Sequence, residues 1–393
     1  MFIILLLALL VGIDAHVDST KWAVLVAGSS NFYNYRHQSD VAHMYHILKK
    51  GGLSDDHIIT MLYDDIAYNL ENPYPGNIIN YPDGPNVYRN MLKDYTGDDV
   101  TPENFLNVLK GNSSGVNNRK VLKSGPIDNV FIYMTDHGGP GVFCFPHHLL
   151  HADDFIETLK YMSANKMFKN LVIYLEACES GSMLDNLLPD NLGIYVMTAS
   201  SPQEPSYACY LDRERGVYLN DCFSINFLLD DDNFTKGETL FQQYSRVLNE
   251  TINSNVCRYG QLSLDHLLVS DFIGKSHKKT QVENREPSDA ILSSRTKLKY
   301  LLFKLEKEIV KRIEELDLDR IDDAYSDFSK ELELLVDAHL LYSKYKTEPR
   351  GNPSDCHVPP TIDLKCTKRI IEEQFGGYPN EYQLEILKHI CVE

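Results

Sequence analysis

Two short segments of the 393-residue chain hold residue types that together can break an acyl bond. Thr135-Asp136-His137-Gly138-Gly139 offers an imidazole beside glycine, and Glu176-Ala177-Cys178-Glu179-Ser180-Gly181 offers a thiol. A thiolate is the strong nucleophile available near neutral pH. An imidazole can protonate a departing amine. Gly138 lets a backbone N–H approach a developing oxyanion, and the N–H of Cys178 can serve as the second donor. Either residue alone would read as packing, because cysteine thiols are commonly buried. Together, each after an apolar run and each flanked by glycine and acidic residues, they point to a cysteine hydrolase. They stand 41 residues apart, from 137 to 178, a spacing that suits one strand–helix–strand crossover.

The elements that must position this pair follow from the apolar pattern. Trp22–Ala27, Ile58–Tyr63, Val130–Met134, Leu171–Leu175 and Ile194–Thr198 are β-branched and aromatic runs with almost no alternation, as expected of strands buried on both faces. Helical patterns lie between them at Asp40–Lys50, from Thr101-Pro102 onward, at Asp153–Met162 and at Thr239–Ile252. Strands alternating with helices predict an α/β fold with a mostly parallel sheet flanked by helices. Such sheets bind ligands at the carboxyl ends of their strands, where His137 and Cys178 both fall. Residues 64–100, rich in Asn, Pro, Gly and Tyr, read as a long ordered surface excursion.

The pattern changes near residue 275. Residues 275–289 are polar and lack apolar periodicity, as a linker or activation segment would. Residues 290–393 then carry Leu298, Leu301, Leu302, Leu305, Ile309, Ile313 and Leu316 at helical steps, repeated from Phe328 to Leu340, and no strand signal. This is an all-helical C-terminal domain. At the other end, the apolar run Phe2–Gly12 is too short for a bilayer span and reads as a signal peptide over residues 1–15. The catalytic domain is then 16–274, its first few residues forming a short propeptide. No later stretch is apolar enough to be a membrane span. The formal net charge of −18 argues against sequence-independent nucleic-acid binding and suits work in an acidic compartment. The sequons at Asn112, Asn233 and Asn249 are glycosylation acceptors in keeping with secretion. Of the eight cysteines, Cys356, Cys366 and Cys391 cluster in the tail. A Cys356–Cys391 bridge is expected, because closing the longer loop restricts the unfolded chain more. Cys209 and Cys222 either pair or pack.

At these motifs the chain resembles the legumains, asparaginyl endopeptidases with a caspase-like fold. The resemblance is carried by Tyr33-Asn34-Tyr35-Arg36-His37-Gln38, Asp94-Tyr95-Thr96-Gly97, Thr135-Asp136-His137-Gly138 and Glu176-Ala177-Cys178-Glu179-Ser180-Gly181-Ser182-Met183. It continues more loosely into the tail, which is similar to the legumain pro-domain. It implies that Cys178 is the nucleophile, His137 its acid–base partner and Asn34 the group that orients His137. It implies oxyanion N–H groups at Gly138 and Cys178. It implies a primary specificity pocket of Arg36, His37, Glu176, Ser206 and Asp221. Such a pocket makes chemical sense. An asparagine side chain offers an acceptor oxygen to Arg36 and a donor nitrogen to Glu176 and Asp221. Ionised aspartate would be repelled by those carboxylates and is expected as a substrate residue only once protonated.

The resemblance further implies a zymogen whose pro-domain is an intramolecular inhibitor, released when interface carboxylates protonate. Asn284 is the expected self-cleavage site. Protein and peptide substrates and cystatin-type inhibitors are the expected partners. The location is the secretory pathway: a lysosome or acidic vesicle, or secretion, the gut lumen included. Neither a cofactor nor a metal is expected. His147, His148 and His151 lack the catalytic Glu of the metalloprotease arrangement. Asp230, Asp231 and Asp232 lack EF-hand spacing and read as a solvated loop. The alternatives are a transpeptidase or peptide ligase of the same fold, or an enzyme resembling the GPI-anchor transamidase subunit. A non-enzymatic secreted glycoprotein would be expected to lack Cys178 or His137.

Overall fold

A computed structural model describes residues 20–233, 237–275, 289–314 and 364–374, and positions 377, 379, 383, 384, 387 and 391. In chain order the elements are β1 (Lys21–Ala27), α1 (Tyr35–Lys50), β2 (Ile58–Met61), α2 (Pro102–Leu109), β3 (Asn129–Thr135), β4 (Gly138–Gly139), β5 (Val142–Cys144), β6 (Leu149–His151), α3 (Ala152–Ala164), β7 (Asn170–Glu176), β8 (Ile194–Thr198), β9 (Tyr207–Asp212), β10 (Val217–Asp221), α4 (Cys222–Asn233), α5 (Leu240–Glu250), β11 (Cys257–Gly260), α6 (Ser270–Ile273), β12 (Ile291–Leu292), α7 (Thr296–Glu314) and α8 (Leu364–Gln374).

The five apolar runs form β1, β2, β3, β7 and β8 of a six-stranded sheet, ordered β11-β8-β7-β3-β1-β2. All neighbours are parallel except the edge strand β11, which runs antiparallel to β8. Alternate residues explain the lack of polar alternation in these runs. Ala23, Leu25, Phe131, Tyr133 and Tyr174 point into one core with the apolar sides of α1, α4 and α5. Val24, Val26, Ile132, Ile173 and Leu175 point into a second core with α2 and α3. Both faces are therefore covered, as the sequence predicts of a mostly parallel α/β sheet. The helix starts follow local chemistry. Thr101 caps α2 by accepting from Asn104 N ahead of Pro102. Thr239 and Gln242 form a capping box at α5.

Several expectations change. Asp230, Asp231 and Asp232 are not a solvated loop: they lie in the last turn of α4 and are buried. Asp232 is held there by His43 at 2.7 Å and Lys50 at 2.6 Å. Asn80, inside the supposed surface excursion, is fully buried. A strand does follow residue 275, because β12 adds antiparallel to β9. Cys391 is bridged to Cys366, not to Cys356, with Cα atoms 5.5 Å apart. The longest loop is the entropically favoured closure, but a bridge forms only where two cysteines come within reach, and that is decided by the fold. Cys356 itself, Asn284 and the helical pattern at Phe328–Leu340 lie outside the described residues, as does the signal segment. Cys209 and Cys222 pair across the start of α4.

Candidate active site

The pairing of β3 with β7 sets Thr135 beside Glu176, and the Asp136 N–H donates to Glu176 O at 3.1 Å. His137 and Cys178 thus leave adjacent strands at the same carboxyl edge, the arrangement the spacing predicts. Gly138 is required here: a Cβ on it would stand 2.6 Å from the Cys178 carbonyl oxygen and 2.9 Å from Ala177 Cβ. The two backbones therefore approach more closely than any side chain allows. Glu179 turns into the left-handed region (φ 48°), which brings the chain sharply off β7 and leaves Cys178 at the rim, 7% exposed. The Ser206 N–H points at Cys178 Sγ from 3.3 Å. His137, also 7% exposed, has Nε2 2.9 Å from Asn34 Oδ1. Asn34 is itself fixed by donating to Ser30 O at 3.0 Å. Burial, followed by the positive charge of Arg36, holds the His137 imidazole below its ordinary range, so it is a neutral base at neutral pH.

Beside the thiol lies a closed polar pocket. Arg36 and His37 come from the first turn of α1, Glu176 from the end of β7, Asp221 from the end of β10, and Ser206 from just before β9. All five are buried. Arg36 Nε donates to Asp221 Oδ1 at 2.8 Å. Glu176 Oε2 accepts from Ser224 N at 3.2 Å and Ser224 Oγ at 3.1 Å. Burial pushes the Glu176 carboxyl up, the charge of Asp221 adds to the rise, and the Ser206 and Ser224 hydroxyls temper it. Burial also raises Asp221, opposed by Arg36. Among the described residues, Arg36 Nη2 and Glu176 Oε1 are buried without hydrogen-bond partners. A donor and an acceptor thus stand unsatisfied in one pocket.

Asp40 is a pocket-supporting residue that sequence reasoning missed. Its Oδ2 accepts from Asp221 N at 3.3 Å and its Oδ1 from Asn80 Nδ2 at 2.6 Å. Its position four residues after Arg36, on the same face of α1, was the available signal. Asn80 had none. The sequence also missed Ser293 and Thr296, which reach the pocket from beyond the linker. Ser293 Oγ donates to Asp221 Oδ1 at 3.3 Å and lies 3.4 Å from Ser206 Oγ. Thr296 Oγ1 accepts from Arg36 at 3.2 Å. Over the other side of the rim, Ile370, Ile371, Leu384 and Leu387 pack on Val142 and Cys144. Between the two lies a cavity of about 290 Å³, lined by Asn34, Asp136, His137, Cys144, Lys297 and Leu384 among others. A larger groove of about 730 Å³, near Leu184 and Leu262, holds neither His137 nor Cys178.

Of the sequons, Asn112 and Asn249 are exposed; the Asn233 side chain is outside the described residues. His147 and His148 are exposed and His151 is half-buried.

A thiol and a neutral imidazole on the carboxyl edge of a doubly covered sheet, next to a cluster of buried polar side chains, define an α/β protein with the site of a cysteine hydrolase. Residues 21–275 match the family model described as Peptidase C13 family, and the chain belongs to that family. It is 51% identical to legumain of Mus musculus over 274 residues, 68% of this chain and 62% of the relative. It is 49% identical to hemoglobinase of Schistosoma japonicum over 69% of this chain and 64% of that protein. It is 47% identical to the vacuolar-processing enzyme delta-isozyme of Arabidopsis thaliana over 67% and 60%. The matches thus span less than two thirds of these relatives. Among solved structures it is similar to caspase-1 of Spodoptera frugiperda, with TM-score 0.41 and 10% identity over 67% of this chain and 92% of that one.

Proposed function

We propose that the chain is the zymogen of a cysteine endopeptidase that cuts after asparagine. The observation that carries the specificity is the pair of unsatisfied pocket atoms. Arg36 Nη2 can donate and Glu176 Oε1 can accept, and a carboxamide satisfies both at once. Leaving either buried group unpaired costs about 1–3 kcal/mol, so the pocket selects the side chain that pairs both.

In the reaction, Cys178 passes its proton to His137, and the sulfur adds to the scissile carbonyl carbon. The oxyanion takes the N–H groups of Gly138 and Cys178. The imidazolium gives its proton to the leaving amine as the C–N bond breaks, leaving a thioester. Water, losing a proton to His137, adds to the thioester carbonyl. The C–S bond then breaks, the acid product leaves and the sulfur regains its proton. Asn34 holds the imidazole ring through its Nε2 during both transfers.

The zymogen reading is supported by β12, which lies on β9 as an added strand, and by Ser293 and Thr296, which bond to Asp221 and Arg36. A substrate strand would need the same space. Asn284 is the proposed self-cleavage site, and mass measurement after incubation at pH 4 tests it: an active sample with 275–289 intact rejects it. The proposed location is the secretory pathway, in a lysosome or acidic vesicle or after secretion, the gut lumen included, with cystatin-type proteins as inhibitors. The deciding experiment is turnover of a fluorogenic peptide ending in Asn after acid treatment, with Cys178→Ser as control. Equal turnover by the two proteins, or none with the parent, rejects the reading.

A further inference from the structure

Among the described residues, one group of titratable side chains has the composition of a metal centre. His37, Asp136 and His137 each present a ligating atom within 4.8 Å of the other two, and all three are buried. They arrive from different elements: the first turn of α1, the end of β3 and the turn after it. The peptide reaction uses one of the three as a base and one as part of the pocket, and leaves Asp136 without a chemical role.

The surroundings prepare both rings to bind through one nitrogen. His137 Nε2 lies 2.9 Å from Asn34 Oδ1, which can only accept from it. That tautomer leaves a lone pair on Nδ1. His37 Nε2 lies 3.5 Å from Asp221 Oδ2, and Nδ1 faces Asp136 Oδ1 at 3.3 Å and the Ser29 hydroxyl at 2.7 Å. With the Ser29 hydroxyl donating to Nδ1, the proton of this ring is on Nε2, which has no hydrogen-bond partner among the described residues; an ion would take the Nδ1 lone pair by displacing the Ser29 hydroxyl. For His137, the Asn34 amide oxygen behind the distal N–H is the kind of contact that orients a metal-binding histidine. The rings meet edge to face with centroids 5.1 Å apart. The roughly 290 Å³ cavity touches Asp136 and His137 and leaves room for an ion and its water.

We propose that His37, Asp136 and His137 form a site for a borderline divalent ion of the Zn²⁺ type, and that its occupation switches the enzyme off. Two imidazole nitrogens and one carboxylate oxygen are a zinc donor set, with water or the Cys178 sulfur as fourth ligand. Ligand atoms around tetrahedral zinc sit about 3.3 Å apart, so the site closes by a small rotation of the Asp136 carboxylate and the rings. The bound ion takes the His137 lone pair that the thiol needs. This is inhibition of the base, not a cofactor role, and it rests on the reading of His137 as that base only for its effect on turnover.

The test uses the full chain carrying Cys178→Ser, titrated with Co²⁺ as a spectroscopic probe and then with Zn²⁺. The expected result is one Co²⁺ per chain with tetrahedral d–d bands, displaced by one Zn²⁺. Asp136→Asn and His137→Ala are each expected to weaken binding about tenfold or more. His137, at the rim, is the variant least apt to disturb folding, and thermal unfolding checks both. No tetrahedral spectrum at millimolar Co²⁺, or binding indifferent to both substitutions in folded protein, overturns the site. With matured parent enzyme, Zn²⁺ is expected to inhibit Asn-peptide turnover competitively, with reversal by EDTA. Site-specific binding without that inhibition overturns the switch but not the site. Binding by a chain that never cleaves peptide would count against the protease reading instead.

Discussion

Replacing Asn by Asp in an otherwise identical peptide swaps the donor nitrogen facing Glu176 for an oxygen. At neutral pH it also adds a negative charge to a pocket already holding Glu176 and Asp221. Arg36 Nε is committed to Asp221 at 2.8 Å, and its free Nη2 cannot offset two buried carboxylates. A pocket built to pair both ends of an amide discriminates by about 10⁴ against a mismatched group. The protonated aspartic acid, by contrast, has an acceptor for Arg36 and an O–H for Glu176, and escapes most of that penalty. With an aspartate pKa near 3.9, the neutral fraction is about 10⁻³ at pH 7 and about 0.4 at pH 4. The Asp-to-Asn ratio of kcat/KM should therefore climb by roughly 500-fold between those pH values. Glu176 acts in the same direction. Burial and Asp221 raise its pKa, and its protonation on acidification removes the repulsion. The assay is paired fluorogenic peptides at fixed ionic strength, with matured enzyme, stepped through pH 4 to 7. Taking the ratio cancels any pH effect on the dyad. A ratio flat with pH would refute the pocket chemistry, because substrate ionisation would then be irrelevant to recognition.

Three further outcomes are expected. Asn34→Ala removes the 2.9 Å contact on His137 Nε2 while leaving the pocket intact. It should lower kcat by about 10- to 100-fold with KM little changed, the mark of a positioning group, and a matched loss in KM would reject that role. Asp232 is pushed up by burial, but His43 and Lys50 outweigh this and hold it at about 2. Its stabilisation is therefore present above the unfolded value near 3.9 and fades as pH falls through 2. Asp232→Asn should cost about 2 kcal/mol in urea unfolding at pH 7 and close to nothing at pH 2. Leu384 is buried against Gly139, where an added Cβ would stand 3.0 Å from Leu384 Cβ. Leu384→Asp places an unpaired charge in that contact, at a cost of several kcal/mol, and should raise turnover by the uncleaved precursor at pH 7 about tenfold or more. Unchanged turnover would show that this part of the tail does not restrain the site.

How much was legible varies residue by residue. His137 and Cys178 could be found because parallel strands end where their apolar runs end, and ligands collect at that edge. Asn34, Arg36, His37, Ser206 and Asp221 carry no such local mark and were reached through the resemblance of whole motifs. The β9–β10 hairpin and α4 were passed over because Cys222 to Asn233 mixes apolar residues with Asp230, Asp231 and Asp232, which looks solvated until His43, Lys50 and Gln243 are placed around it. The Cys366–Cys391 pairing was missed because loop entropy compares chain lengths and is blind to which sulfurs the fold brings within reach.

By itself the sequence determined a sheet buried on both faces, and the edge at which a thiol and an imidazole emerge. Hydrophobic periodicity is a local property that survives in one dimension. Only tertiary structure decided the pocket and what covers it. Arg36 meets Asp221 across 185 positions and Thr296 across 260, and Asp40, one turn further along α1, holds the Asp221 backbone. Hydrogen bonds over such separations follow from how helices dock on the sheet, and docking depends on the shape of the whole core rather than on any stretch of residues within it.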